Sequence, residues 1–95
     1  MRIKVRYMGV LRDKIGKKEV EYVLSEDQSK LSDLIKKIID THGEGIKRLF
    51  ESDKSNIDPS FIITINGVAV NRLRGLNSPL KDGDTVSIMS LISGG

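Results

Sequence analysis

Residues 29–43 read SKLSDLIKKIIDTHG, and the rest of the chain has to be arranged around this stretch. Leu31, Leu34, Ile35, Ile38 and Ile39 recur at i, i+3, i+4, i+7 and i+8. That is the apolar stripe of an amphipathic α-helix, with one face that must be covered. Ser29 has the side chain of an N-cap, Asp33 falls in the first turn where the helix dipole favours an acid, and Gly43 can take the left-handed position that ends the helix. Lys36 and Lys37 lie off the stripe. His42 has no second His and no Cys beside it, so it reads as a helix-terminal surface residue without a function.

What covers the helix is written on both sides of it. Arg2 to Met8 alternates, with Ile3, Val5 and Tyr7 on one face and Arg2, Lys4 and Arg6 on the other, the period of a half-buried strand. VLRDKIGKK, residues 10–18, is expected to be a turn pinned to the core edge by Val10, Leu11 and Ile15. Glu19 to Leu24 alternates again, and in a hairpin Glu19 and Glu21 would face the basic row of the first strand. That row is therefore read as sheet support.

Beyond the helix the pattern loosens from Glu44 to Ser60: Ile46, Leu49 and Phe50 suit one short helical turn, and SDKSNIDPS reads as polar loop. Phe61 to Ile65 is a strand, Asn66-Gly67 is a hairpin turn, and Val68-Ala69-Val70 is the returning strand. A loop then tucks Leu73, Leu76 and Leu80 under the sheet and ends in the turn Asp82-Gly83-Asp84. Two carboxylates fall short of the six or more oxygens that a hard cation takes. In the last strand, from Thr85, Val86 and Ile88 face one way and Ser87 and Met89 the other. The order β-β-α-β-β-β predicts an α+β fold with one main helix packed across one face of a mixed sheet.

The chain has 95 residues, of which 38% are hydrophobic and 31% charged, enough for one domain with a single small core. No apolar run approaches the roughly 20 residues of a membrane span, and MRIKVRYMGV lacks the apolar core of a signal peptide. The expected location is the cytoplasm. Zero cysteines rule out disulfides, thiolate nucleophiles and thiolate metal sites. The net charge of +3 raises the question of nucleic acid, but aromatic content is only 4% and the basic residues are interspersed with acids. A nucleic-acid binder would show a basic stripe with stacking aromatics, and none is expected as a partner; nor is a membrane.

The functional signal is the end of the chain, Leu91-Ile92-Ser93-Gly94-Gly95. Glycine lacks a Cβ, so Gly94 and Gly95 can thread a channel too narrow for a side chain. The terminal carboxylate, with a reference pKa of about 3.5, is ionised at pH 7. It is a competent nucleophile toward the α-phosphate of ATP but a poor acyl electrophile, so it must be activated before it can donate its acyl group. Residues 91–95 are accordingly read as a flexible tail on a single domain spanning residues 1–95. Nowhere does the sequence pair a nucleophile with a base or supply a phosphate-cradling glycine loop, so the chain is read as a carrier and not an enzyme. Met89, on the solvent face of the last strand, is taken as part of a docking surface.

RYMGVLRDKIGKKEVEYVL, SKLSDLIKKIIDTHG, FIITINGVAV and RGLNSPLKDGDTV, followed by the terminal Gly94-Gly95, together resemble the β-grasp (ubiquitin-like) sulfur carriers. The likeness is strongest to the molybdopterin synthase small subunits of archaea and more distant to the thiamine sulfur carrier and ubiquitin-like modifiers. It implies that a ubiquitin-activating-type adenylating enzyme, using ATP and Mg, adenylates Gly95, and that sulfur transfer then yields a C-terminal thiocarboxylate. It implies no cofactor bound to the chain itself. A molybdopterin synthase large subunit is the implied acceptor, within molybdenum cofactor biosynthesis. The alternatives are conjugation to lysines as a protein modifier, or sulfur supply for tRNA or thiamine thiolation. In one place the sequence departs from the synthase pattern: Ser90 and Leu91 stand where those subunits commonly have two prolines.

Overall fold

In a computed structural model, described for residues 1–43, 45–47, 51–53, 56–57, 61–70 and 75–90, the first hairpin joins β1 (Arg2–Met8) to β2 (Glu19–Val23). The main helix α2 (Leu31–His42) follows. After it come β3 (Glu51–Asp53), β4 (Asn56–Ile57), β5 (Phe61–Ile65), β6 (Val68–Ala69) and β7 (Thr85–Ser90). Five of the strands make one mixed sheet in the order β2-β1-β7-β5-β6. The two strands at its heart, β1 and β7, are parallel, and every other pairing in it is antiparallel.

The core forms where the predicted alternations meet the predicted stripe. Ile3, Val5 and Tyr7 of β1, Tyr22 of β2, Ile63 of β5 and Val86 and Ile88 of β7 are buried on one face. Leu31, Leu34, Ile35 and Ile38 of α2 are buried with them, and Ile39 packs at the edge. Each such side chain gains roughly 1.5–3 kcal/mol from leaving water. Leu80 is buried and Leu76 packs against this cluster, while Leu73 lies outside the described residues.

Three expectations need correction. Residues 10–18 are more than a turn: Val10–Ile15 is a short helix, α1, which buries Leu11, packs on β1 and β7, and ends at Gly16 in the left-handed region (φ 80°). Six residues with a single fully buried side chain are too short for a periodicity to register. The N-cap of α2 is Lys30 and not Ser29, because the Ser29 carbonyl is engaged by the Leu80 N–H at 2.6 Å. The Leu31 N–H, one of the donors a helix start leaves open, is taken by the Ser78 carbonyl at 2.9 Å, and the Asp33 carboxylate accepts the Lys30 N–H at 3.1 Å. Thirdly, the stretch read as polar loop contains β3 and β4, paired antiparallel with Glu51 opposite Ile57.

Candidate functional site

The tail residues Leu91, Ile92, Ser93, Gly94 and Gly95 lie outside the described residues. What the structure defines is the strand that launches them. β7 runs up the centre of the sheet with Val86 and Ile88 fully buried against the core, so the strand that precedes the tail is firmly held. Because β1 and β7 are parallel, they finish at the same end of the sheet. The β1–β2 connection, carrying α1, is therefore beside the root of the tail, and α1 packs on β7 there.

On the face away from α2, Met89 is half-buried. Met8 of β1 stands opposite it on one side and Ile62 of β5 on the other. Ile62 is 37% exposed and Met8 is half-buried. These three make an apolar patch next to the end of β7. Met89 was legible as an outward residue of an alternating strand. Met8 and Ile62 were not assigned a role, because each sits at the outward position of its own strand and only the cross-strand register brings them together.

Further down the same face the residues are polar apart from Val23, which is exposed opposite Arg2. Arg2 and Arg6 reach Glu21 and Glu19 at 3.6 and 3.8 Å, and Lys4 stands opposite Glu21. All four paired side chains are well exposed, so each bridge contributes at most about 1 kcal/mol, in keeping with a supporting role for the basic row.

The carboxylates of Asp82 and Asp84 are used by the turn. Asp82 accepts the Arg2 N–H at 2.7 Å. Asp84 accepts the Lys81 N–H at 2.7 Å and the Asn66 side-chain amide at 2.8 Å. No cluster of three or more His, Cys, Asp or Glu side chains able to hold a metal occurs among the described residues.

His42 is half-buried and not a free surface group. Its Nε2 lies 3.1 Å from the Tyr22 hydroxyl, which lies 2.7 Å from that of Tyr7. Burial raises the pKa of both phenols above the ordinary value of 10.0. This chain of polar atoms satisfies two buried hydroxyls and ties the C-terminal end of α2 to the first hairpin. No local sequence pattern could show it, since the partners are 15 and 20 residues apart.

A main helix laid across a mixed sheet, with a central last strand leading to the chain end, defines a β-grasp protein. The chain belongs to the ThiS family, whose model matches residues 5–95. It is 26% identical to small archaeal modifier protein 3 of Haloferax volcanii over 95 residues, all of both chains. Among solved structures it is similar to small archaeal modifier protein 1 of Methanosarcina acetivorans, at 27% identity and a TM-score of 0.78 over 99% of this chain and 96% of that one. It is also similar to a Pyrococcus furiosus protein assigned as molybdopterin converting factor, subunit 1, at 27% identity and a TM-score of 0.72 over 97% and 99%. The chain is thus a small ubiquitin-like carrier or modifier protein and not a catalyst.

Proposed function

We propose that this protein is a sulfur carrier whose terminal carboxylate is the working group. An adenylating enzyme binds the sheet face and takes the tail into its active site. There a Gly95 carboxylate oxygen attacks the α-phosphate of ATP and pyrophosphate leaves. A sulfide-level sulfur nucleophile then attacks the acyl carbon, and as its C–S bond forms AMP leaves, giving the thiocarboxylate. ATP and Mg belong to that enzyme. The observation that carries the reading is that β7, the strand which the sequence Leu91 to Gly95 follows, is central in the sheet and ends next to the apolar patch of Met8, Ile62 and Met89. Support for a molybdopterin synthase large subunit as the acceptor comes from the full-length similarity to the Pyrococcus protein.

The full-length similarity to two archaeal modifier proteins favours a second use of the same adenylate, conjugation to target lysines. Intact-mass measurement on protein from its native cells separates the two. A carrier gains the mass difference of sulfur for oxygen, whereas a modifier appears as ladders on other proteins. Absence of both would sink the reading. Removal of Gly94 and Gly95 is expected to abolish adenylation while leaving the melting temperature nearly unchanged. Met89→Asp is expected to weaken binding to the adenylating enzyme while costing about 1–2 kcal/mol of stability, short of unfolding the domain; intact binding would take the patch out of the account.

A further inference from the structure

The charge surplus of the chain is concentrated in one place. Of its 16 basic and 13 acidic residues, residues 10–18 hold four and one, so this connection carries a net +3 and the remaining sequence holds 12 of each sign. The basic row on β1 faces the acids of β2. By contrast, Arg12, Lys14, Lys17 and Lys18 are all exposed, and none forms a salt bridge with any described residue. Arg12, Lys17 and Lys18, with Asp13 and Gly16, line an open depression. Parallel pairing of β1 with β7 sets this basic strap at the end of the sheet from which the tail departs, and α1 packs directly on β7.

We infer that the strap is the electrostatic half of the docking surface, continuous with the patch of Met8, Ile62 and Met89, and that it fits an acidic rim around the tail-receiving channel of the adenylating enzyme. This rests on the activation reading above. Unpaired like charges on an exposed connection repel one another, and a complementary acidic surface relieves that repulsion while steering encounter. Their position matters as much as their sign, since a rim contact at the root of the tail orients the carboxylate for insertion. RNA would also attract four cations, but a single-stranded partner needs aromatic platforms. Among the described aromatics, Tyr7 and Tyr22 are buried, and Phe61 is half-buried against the core on the opposite face from Met89; Phe50 lies outside the described residues.

The test is ATP–pyrophosphate exchange by the adenylating enzyme purified from the source cells, with the full chain as substrate. Lys17→Glu/Lys18→Glu is compared with Lys36→Glu/Lys37→Glu, the same charge change on exposed positions of α2, after both are shown to melt like the unaltered protein. Reversal on the strap is expected to raise KM for the carrier about tenfold or more at about 0.05 M salt, with kcat unchanged, and the difference should shrink toward unity by about 0.5 M. The α2 variant is expected to stay within about twofold of the unaltered chain, as remote charges should. Equal effects of the two variants, or none from the strap, would overturn the inference while leaving activation standing. Failure of the unaltered chain to support any exchange would overturn the activation reading and this inference together. Retention of labelled tRNA by the unaltered chain, lost on strap reversal while KM is unmoved, would overturn it in favour of RNA.

Discussion

The Tyr7 and Tyr22 hydroxyls meet at 2.7 Å inside the core, and Tyr22 alone continues the chain to His42. The two residues are 2% and 5% exposed, so neither hydroxyl has water to fall back on. Their positions predict unequal costs. Tyr7→Phe leaves Tyr22 with His42 and should cost about 1 kcal/mol, the net value of one hydrogen bond. Tyr22→Phe strands the Tyr7 hydroxyl and releases the end of α2, and should cost about 2–3 kcal/mol. The double variant should cost less than the sum. Urea midpoints at unchanged m-value would check this; equal single costs would mean that the chain is not energetically connected.

Alkaline stability follows from the same pair. Burial is the main cause that raises both phenols above 10.0; the bond to Tyr22 and repulsion from it raise Tyr7 further, whereas the bond from Tyr7 opposes the effect on Tyr22 without reversing it. Above pH 10 the unfolded chain gives up these protons while the native one keeps them. The stabilisation is therefore complete below pH of about 10 and falls as pH rises, by up to about 1.4 kcal/mol per pH unit for each tyrosine. Lysines titrate nearby, so the informative quantity is the difference between unaltered protein and Tyr7→Phe. The unaltered curve should be the steeper between about pH 10 and 12. Parallel curves would contradict the assignment.

What was legible in the sequence, and what was not, divides by range. The alternation of Ile3, Val5 and Tyr7 and the stripe from Leu31 to Ile38 named buried residues correctly, because burial in a regular element repeats at the element's own period. Asn66-Gly67 named its turn because only residues tolerant of positive φ fit there: φ is 51° at Asn66 and 84° at Gly67. Features set by contact between distant segments left no local trace. Ser29 loses the capping role to Lys30 through a bond to Leu80, and His42 acquires Tyr22. The patch around Met89 depends on register across three strands. Of the candidate site, the outward position of Met89 was legible from the alternation of its strand, whereas its neighbours Met8 and Ile62 were not; the tail from Leu91 to Gly95 lies outside the described residues.

Asn66 does more than turn the chain. Its side-chain amide donates to Asp84 at 2.8 Å, and its side-chain oxygen accepts the Thr85 N–H at 2.9 Å. One residue thus locks the β5–β6 turn to the start of β7. Asn66→Ala should cost about 2–3 kcal/mol, combining an unfavourable left-handed alanine with two lost bonds. Asn66→Gly should recover about 1 kcal/mol of that by removing the backbone penalty alone. Thermal melts of the two variants check the split. If glycine restores full stability, the side-chain bonds contribute nothing.

Ser90 is where the proline pair common in molybdopterin synthase small subunits, which this sequence resembles, would come into conflict with this fold. In the parallel ladder the Lys4 N–H donates to the Asp84 carbonyl at 3.0 Å, and the pairing continues to Met8 opposite Met89. By that alternation the Ser90 N–H is directed at β1, while Phe61 stands opposite Ser90 on the other side. A proline there removes a ladder donor from a central strand, which should cost about 1–3 kcal/mol. Leu91→Pro alone falls after the last residue of β7 and is expected to spare stability. It should also tighten binding to a synthase large subunit, because fixing one backbone residue beforehand saves about 1–2 kcal/mol of ordering entropy, or roughly tenfold in affinity. Ser90→Pro should show lower melting temperature with no compensating gain in binding. A Ser90→Pro variant as stable as the unaltered chain would mean that the ladder ends at Met89. Unchanged binding by a stable Leu91→Pro variant would mean that the partner does not select a stiff tail, which argues against the synthase as acceptor.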